Sequence, residues 1–81
     1  MKHFTKEHCV AAVKRPTPTL RLDHPAGGVE YKMVGSDDGW SHFYCPEFNH
    51  VRTLRRKHLS GKRAAFPRLE DFIAGEMYSP E

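Results

Sequence analysis

The sequence predicts an α+β fold: a short N-terminal helix, a three-stranded antiparallel meander and two C-terminal helices, in the order α-β-β-β-α-α. Three observations carry this. Between Thr19 and Cys45, apolar and polar residues alternate in short runs separated by turn formers. Before them stands a capped stretch closed by Pro16. After them, apolar residues recur at spacings of three and four. The 81 residues make one domain, 1–81. A domain of that size buries only about 60–65% of its unfolded surface, which leaves little room for a large substrate cavity.

The first helix begins at Thr5, an N-cap residue, with Phe4 before it and Cys9 positioned to close a hydrophobic staple. Cys9, Ala12 and Val13 make its apolar stripe. Arg15 precedes Pro16 and is steered out of the helical region, so 15–18 (Arg-Pro-Thr-Pro) reads as a stiff extended connector. A hairpin follows. Leu20, Leu22, Val29, Tyr31 and Met33 fall on one face, and His24-Pro25-Ala26-Gly27-Gly28 lies between the two strands. The turn Gly35-Ser36-Asp37-Asp38-Gly39 leads to a third strand, Trp40 to Cys45. Both of its faces are partly apolar, so both are expected to be covered.

Pro46 suits the start of a helix, and 47–59 reads as that helix, stopped near Gly61. Phe48, Val51, Leu54, His58 and Leu59 share one arc of it, while Asn49, Arg52, Thr53 and Arg56 lie on an adjacent flank. The last helix starts at Pro67, with Leu69, Phe72 and Ile73 as its stripe, Glu70 and Asp71 in its first turn and Gly75 as a left-handed cap. Residues 79–81 are expected to fray. The same element order occurs in double-stranded-RNA-binding domains and in the AP2-like modules of integrases; the likeness is of order alone, and no motif of either family stands in the residues.

Charge is segregated. Residues 47–63 carry six Lys or Arg and one Glu, a net of +5, whereas residues 64–81 carry one Arg and four acidic side chains, a net of −3. Arg and Lys neutralise phosphates, and Asn and Arg can bond base edges. The sequence therefore predicts a binding face made of Asn49, Arg52, Thr53, Arg55, Arg56, Lys57, Lys62 and Arg63. Trp40 and Tyr44 form a possible secondary surface if they face outward, although core burial is the commoner fate of such residues. The plain alternative for the basic stretch is a solvated face paired with Glu70 and Asp71.

His42, Cys45, His50 and His58, with His8 or Cys9, could be imagined around zinc. Structural zinc sites usually show two tight ligand pairs, and only one loose pair is present, so no metal or other cofactor is expected. No spacing singles out a nucleophile. The longest uncharged apolar run, Cys9–Val13, is too short for a membrane span or a signal core, which places the expected compartment in the cytoplasm, with Cys9 and Cys45 as free thiols.

The expectation is a small, basic, non-enzymatic regulatory or accessory protein of the kind phages and mobile elements encode. It would dock the helix 47–59 and the following loop on nucleic acid, with no membrane or small-molecule partner. One alternative is a viral-type inhibitor that sets the same face against an acidic or nucleic-acid-handling host protein complex. The other is a toxin-type, metal-independent ribonuclease using His42, His50 or His58 beside Arg55.

Overall fold

The expected N-terminal helix forms over Lys6–Val13 (α1) in the computed structural model, which describes residues 2–22, 28–37, 39–56 and 72–81, with Leu22 and Arg56 described by backbone alone. Thr5 is extended and its hydroxyl accepts a hydrogen bond from the His8 amide at 3.2 Å, capping the first turn. Eight residues are too few for a helix to be stable alone in water. Its buried residues Cys9 and Ala12 hold it to the sheet, where their small side chains permit close approach.

The described residues otherwise form five strands: β1 (Thr19–Leu22), β2 (Val29–Asp37), β3 (Trp40–Cys45), β4 (His50–Arg56) and β5 (Phe72–Tyr78). They make one antiparallel sheet in the order β1-β2-β3-β4-β5. The fold is therefore mostly β, not the three-stranded meander with three helices that the sequence suggests. The first three strands lie where alternation placed them. β2 runs further than expected, because Gly35, Ser36 and Asp37 join it. Only residues 38 and 39 separate the paired Asp37 and Trp40, and Gly39 takes φ +80°, the left-handed region such short loops require.

The expected helix 47–59 is the main correction. Residues 46–49 form a four-residue turn joining the paired Cys45 and His50, with Asn49 at φ +49°. Proline begins turns as readily as helices, and Asn tolerates the left-handed region better than most residues. From His50 the chain is extended. Val51 and Leu54, three apart, fit one face of a helix. They fit equally a strand buried on both sides, and β4 lies inside the sheet between β3 and β5. Val51, Thr53 and Leu54 are all buried, the first two on one face and the third on the other. The β-branched Val51 and Thr53 favour this state.

The expected helix from Pro67 fails where it can be seen: Phe72 and Ile73 lie in β5, and residues 67–71 are outside the described set. Gly75 is not a helix cap. It stands inside the strand, where a Cβ would come within 2.4 Å of both Trp40 Cζ3 and Thr53 Oγ1. A β-bulge sits there, since Thr53 spans the register shift between Arg52↔Met77 and Leu54↔Ala74. Thr53 Oγ1 donates to the Glu76 carbonyl (3.0 Å) and accepts from the Glu76 amide (2.6 Å), so the bulged backbone is satisfied by a buried hydroxyl.

The sheet has a core on each face. On one, α1 and Phe4 cover Val34, Tyr44 and Val51, with Val13 and Tyr78 packed around them. On the other, Val29, Tyr31, Phe43, Cys45 and Leu54 cluster with Leu20, Met33 and Phe72. Leu20, Val29, Tyr31 and Met33 of the hairpin face expected from alternation thus share one core, the Leu22 side chain lying outside the described set, and β3 is buried on both sides. Cys9 and Cys45 are free and buried in opposite cores.

Candidate functional site

The register of β3 on β4 sets Trp40 directly opposite Arg55, and β4 on β5 sets Arg55 opposite Ile73. All three project on the face that α1 partly covers. The buried core beneath α1 ends before this corner: Arg55 is exposed and Ile73 is 56% exposed. Trp40 is half-buried, and its indole reaches across β4 to rest against Gly75. The guanidinium of Arg55 lies over that indole, 5.4 Å from the ring centroid, a cation–π arrangement. Gly39 borders the pair and adds no side chain; a Cβ there would meet only Arg55, at 3.7 Å. The product is an aromatic plane and a cationic plane, fixed on rigid strands at the protein surface.

A second aromatic–arginine pair occupies the other face. Arg52 lies over the Tyr31 ring at 5.8 Å, and the Tyr31 hydroxyl is hydrogen-bonded to His50 Nε2 at 2.5 Å. Burial pushes the Tyr31 hydroxyl pKa up, and Arg52 partly opposes this by hydrogen bonding and charge. Arg52 and Arg55 therefore do not act from one side. Three residues apart on a helix they would be neighbours, whereas on a strand they point to opposite faces.

The remaining expected binding residues disperse. Thr53 is 1% exposed and bonded within the sheet, so it meets no external ligand. Asn49 accepts from Lys6 Nζ (2.5 Å) and from the Tyr44 hydroxyl (3.1 Å), tying α1 to the β3–β4 turn. Tyr44 is 2% exposed and belongs to the core, which removes it from the possible secondary surface. Arg56 ends β4 opposite Phe72. Lys57, Lys62 and Arg63 lie outside the described residues. Trp40 and Arg55 are thus the pair that the structure brings together. Ile73 and Gly75 complete their setting and were hidden by the helical reading of 67–75; the run Phe-Ile-Ala-Gly-Glu-Met-Tyr, apolar and free of Lys, Arg and Pro, was the available strand signal.

A histidine–carboxylate arrangement, which spacing did not reveal, lies beside this corner. Asp37, opposite Trp40, bonds His42 Nε2 through Oδ1 at 2.5 Å and accepts the Lys2 amide on Oδ2 at 2.8 Å. The His42 hydrogen bond, followed by that from Lys2, holds the Asp37 carboxyl below its ordinary range. His42 is fully buried under Phe4, whose ring lies edge-on at 4.8 Å, and its Nδ1 has no hydrogen-bond partner among the described residues. The N-terminal residues over it are fastened by several contacts. The Phe4 amide donates to the Tyr78 hydroxyl (2.9 Å), His3 pairs with Glu76, and the His3 ring stacks on Tyr78. In this arrangement Phe4 and the sheet shield the His42 ring from solvent.

The described members of the histidine and cysteine spacing do not converge either, and His58 lies outside the described residues. His42 and Cys45, an odd number of residues apart in β3, face opposite sides; His42 shares a face with Tyr44, and Cys45 lies in the other core. Among the described residues no three His, Cys, Asp or Glu side chains are grouped to hold a metal ion. Likewise, among the described residues no helix is long and apolar enough to cross a membrane. Comparison with known proteins finds no matching family model, no matching curated protein and no matching solved structure.

Proposed function

We propose that the protein is a non-enzymatic nucleic-acid-binding module whose contact surface is the Trp40–Arg55 corner of the sheet. The observation that carries this reading is the Arg55 guanidinium held over the Trp40 ring in an exposed position. Stacking planes and cationic groups are the two components that nucleic-acid surfaces combine. The net charge of +5 on residues 47–63 supplies the sequence-independent attraction to phosphate. The contact role falls to a basic strand and not to a basic helix, and only its Trp40-facing side takes part.

Anisotropy of a labelled oligonucleotide, titrated with protein at several salt concentrations, tests this. Expected is an affinity that falls linearly on a log–log plot against salt, with a slope of about −0.7 to −0.9 for each phosphate contacted. No salt-sensitive binding from 50 to 200 mM would remove the reading. The same basic surface set against an acidic protein complex would then be the one to test, by recovery of a single partner after nuclease treatment.

A further inference from the structure

We propose that the Trp40–Arg55 pair is a stacking platform for one unpaired base, so that the ligand is single-stranded nucleic acid and not duplex; this rests on the nucleic-acid reading given above. Four features of the corner point to it. First, Trp40 is packed in place: its ring edge rests against Gly75, and a side chain at that position would occupy its place. A fixed aromatic plane loses little freedom when a base is added to it. Second, the guanidinium of Arg55 is a flat cation held over that ring, 5.4 Å from its centroid, and guanidinium planes accept bases as aromatic rings do. Third, among the described residues the near surroundings carry little to compete with a base. Gly39 and Gly75 present no side chains, Ile73 offers apolar contact, and the neighbouring Asp37 carboxylate is occupied by His42 and the Lys2 amide.

The fourth feature is shape. These residues sit on the face of a five-stranded sheet, next to the body of α1. The major groove of B-DNA, about 12 Å wide, admits a helix or a two-stranded ribbon and not the face of a broad sheet. Within a duplex the base planes are covered by their neighbours, so a surface built to stack gains nothing from them. An unpaired strand exposes every base plane. The preference is therefore for strand state, with tolerance of sequence, because every base has a π face.

The chain contains a single tryptophan, so its emission reports this site alone. The experiment titrates the protein with an unstructured single-stranded oligonucleotide and with a duplex of the same length. Trp40 emission and oligonucleotide anisotropy are followed together for the parent, Arg55→Lys and Arg15→Ala. Arg55→Lys keeps the charge and loses the plane. Arg15→Ala loses one exposed charge far from the corner.

The expected result has three parts. The single strand quenches Trp40 and binds more tightly than the duplex. Arg55→Lys weakens single-strand binding by between about five-fold and a hundred-fold, the range that one stacked base supplies. Arg15→Ala changes it by no more than about two-fold. If both ligands bind equally, Trp40 emission does not respond and Arg55→Lys matches the parent, the platform is refuted while nucleic-acid binding stands. If neither ligand binds, the nucleic-acid reading fails and this inference with it. Circular dichroism of Arg55→Lys, expected to match the parent, separates a binding defect from a folding one.

Discussion

Trp40 reaches across β4 because residue 75 has no side chain, and this makes Gly75 the most sensitive single position near the proposed surface. Gly75→Ala sets a methyl group 2.4 Å from Trp40 Cζ3 and Thr53 Oγ1. Either the indole swings out or Thr53 gives up its bonds to Glu76. Overpacking of this kind costs about 1–3 kcal/mol. Urea denaturation should show that loss, together with a red-shifted Trp40 emission; an unchanged midpoint and unchanged emission would mean the contact is looser than described. Asp37 gives a second residue-level test, in pH. Its carboxyl titrates below the ordinary value of 3.8 because the folded state supplies His42 and the Lys2 amide as donors. The stability it contributes is complete above that ordinary value and disappears as pH falls through the depressed one. The parent should therefore lose stability on acidification below about pH 4, and Asp37→Asn should flatten the curve across that window, as read from denaturant midpoints. Neither feature was legible in the sequence, since Gly75 resembles a helix cap and His42 and Asp37 lie five residues apart without a motif.

At the scale of elements, the sequence was clear where one face of an element is buried and misleading where two faces are. α1 announced itself by Thr5 and Pro16, and the hairpin of β1 and β2 by strict alternation. β4 did not, because a central strand with Val51 and Thr53 on one side and Leu54 on the other reproduces the spacing of an amphipathic helix. The turn at 46–49 is the physical marker that separates the two readings. Asn49 holds φ +49° and also bonds Lys6 and Tyr44. Asn49→Gly keeps the backbone freedom and loses the side-chain bonds, whereas Asn49→Ala loses both. The alanine variant should be less stable than the glycine variant by about 1–2 kcal/mol, the cost of the left-handed region for a residue with a Cβ. Equal stabilities would place the value of Asn49 in its hydrogen bonds alone. β5 has its own test in Phe72, half-buried and edge-on to Phe43 with ring centroids 5.9 Å apart. Full burial would make Phe72→Ala cost about 3–5 kcal/mol, and half-burial reduces this to about 2 kcal/mol. A midpoint identical to the parent would show that β5 is not docked through this ring.

For the molecule as a whole, charge segregation was readable from composition, but its geometry was not. A helix would have gathered Arg52 and Arg55 on neighbouring flanks; the strand sends them to opposite faces, each beside an aromatic ring, Tyr31 for one and Trp40 for the other. The proposed surface is thus smaller than the basic block and is defined by stacking as much as by charge. Its position can be read directly from backbone amide shifts of nitrogen-15-labelled protein titrated with a short single-stranded oligonucleotide. The account predicts shifts concentrated at Gly39–Ser41, Thr53–Arg55 and Ile73–Gly75, with α1 and β1 unaffected. Shifts centred on α1 or around Tyr31 and Arg52, or no shifts at all, would contradict it.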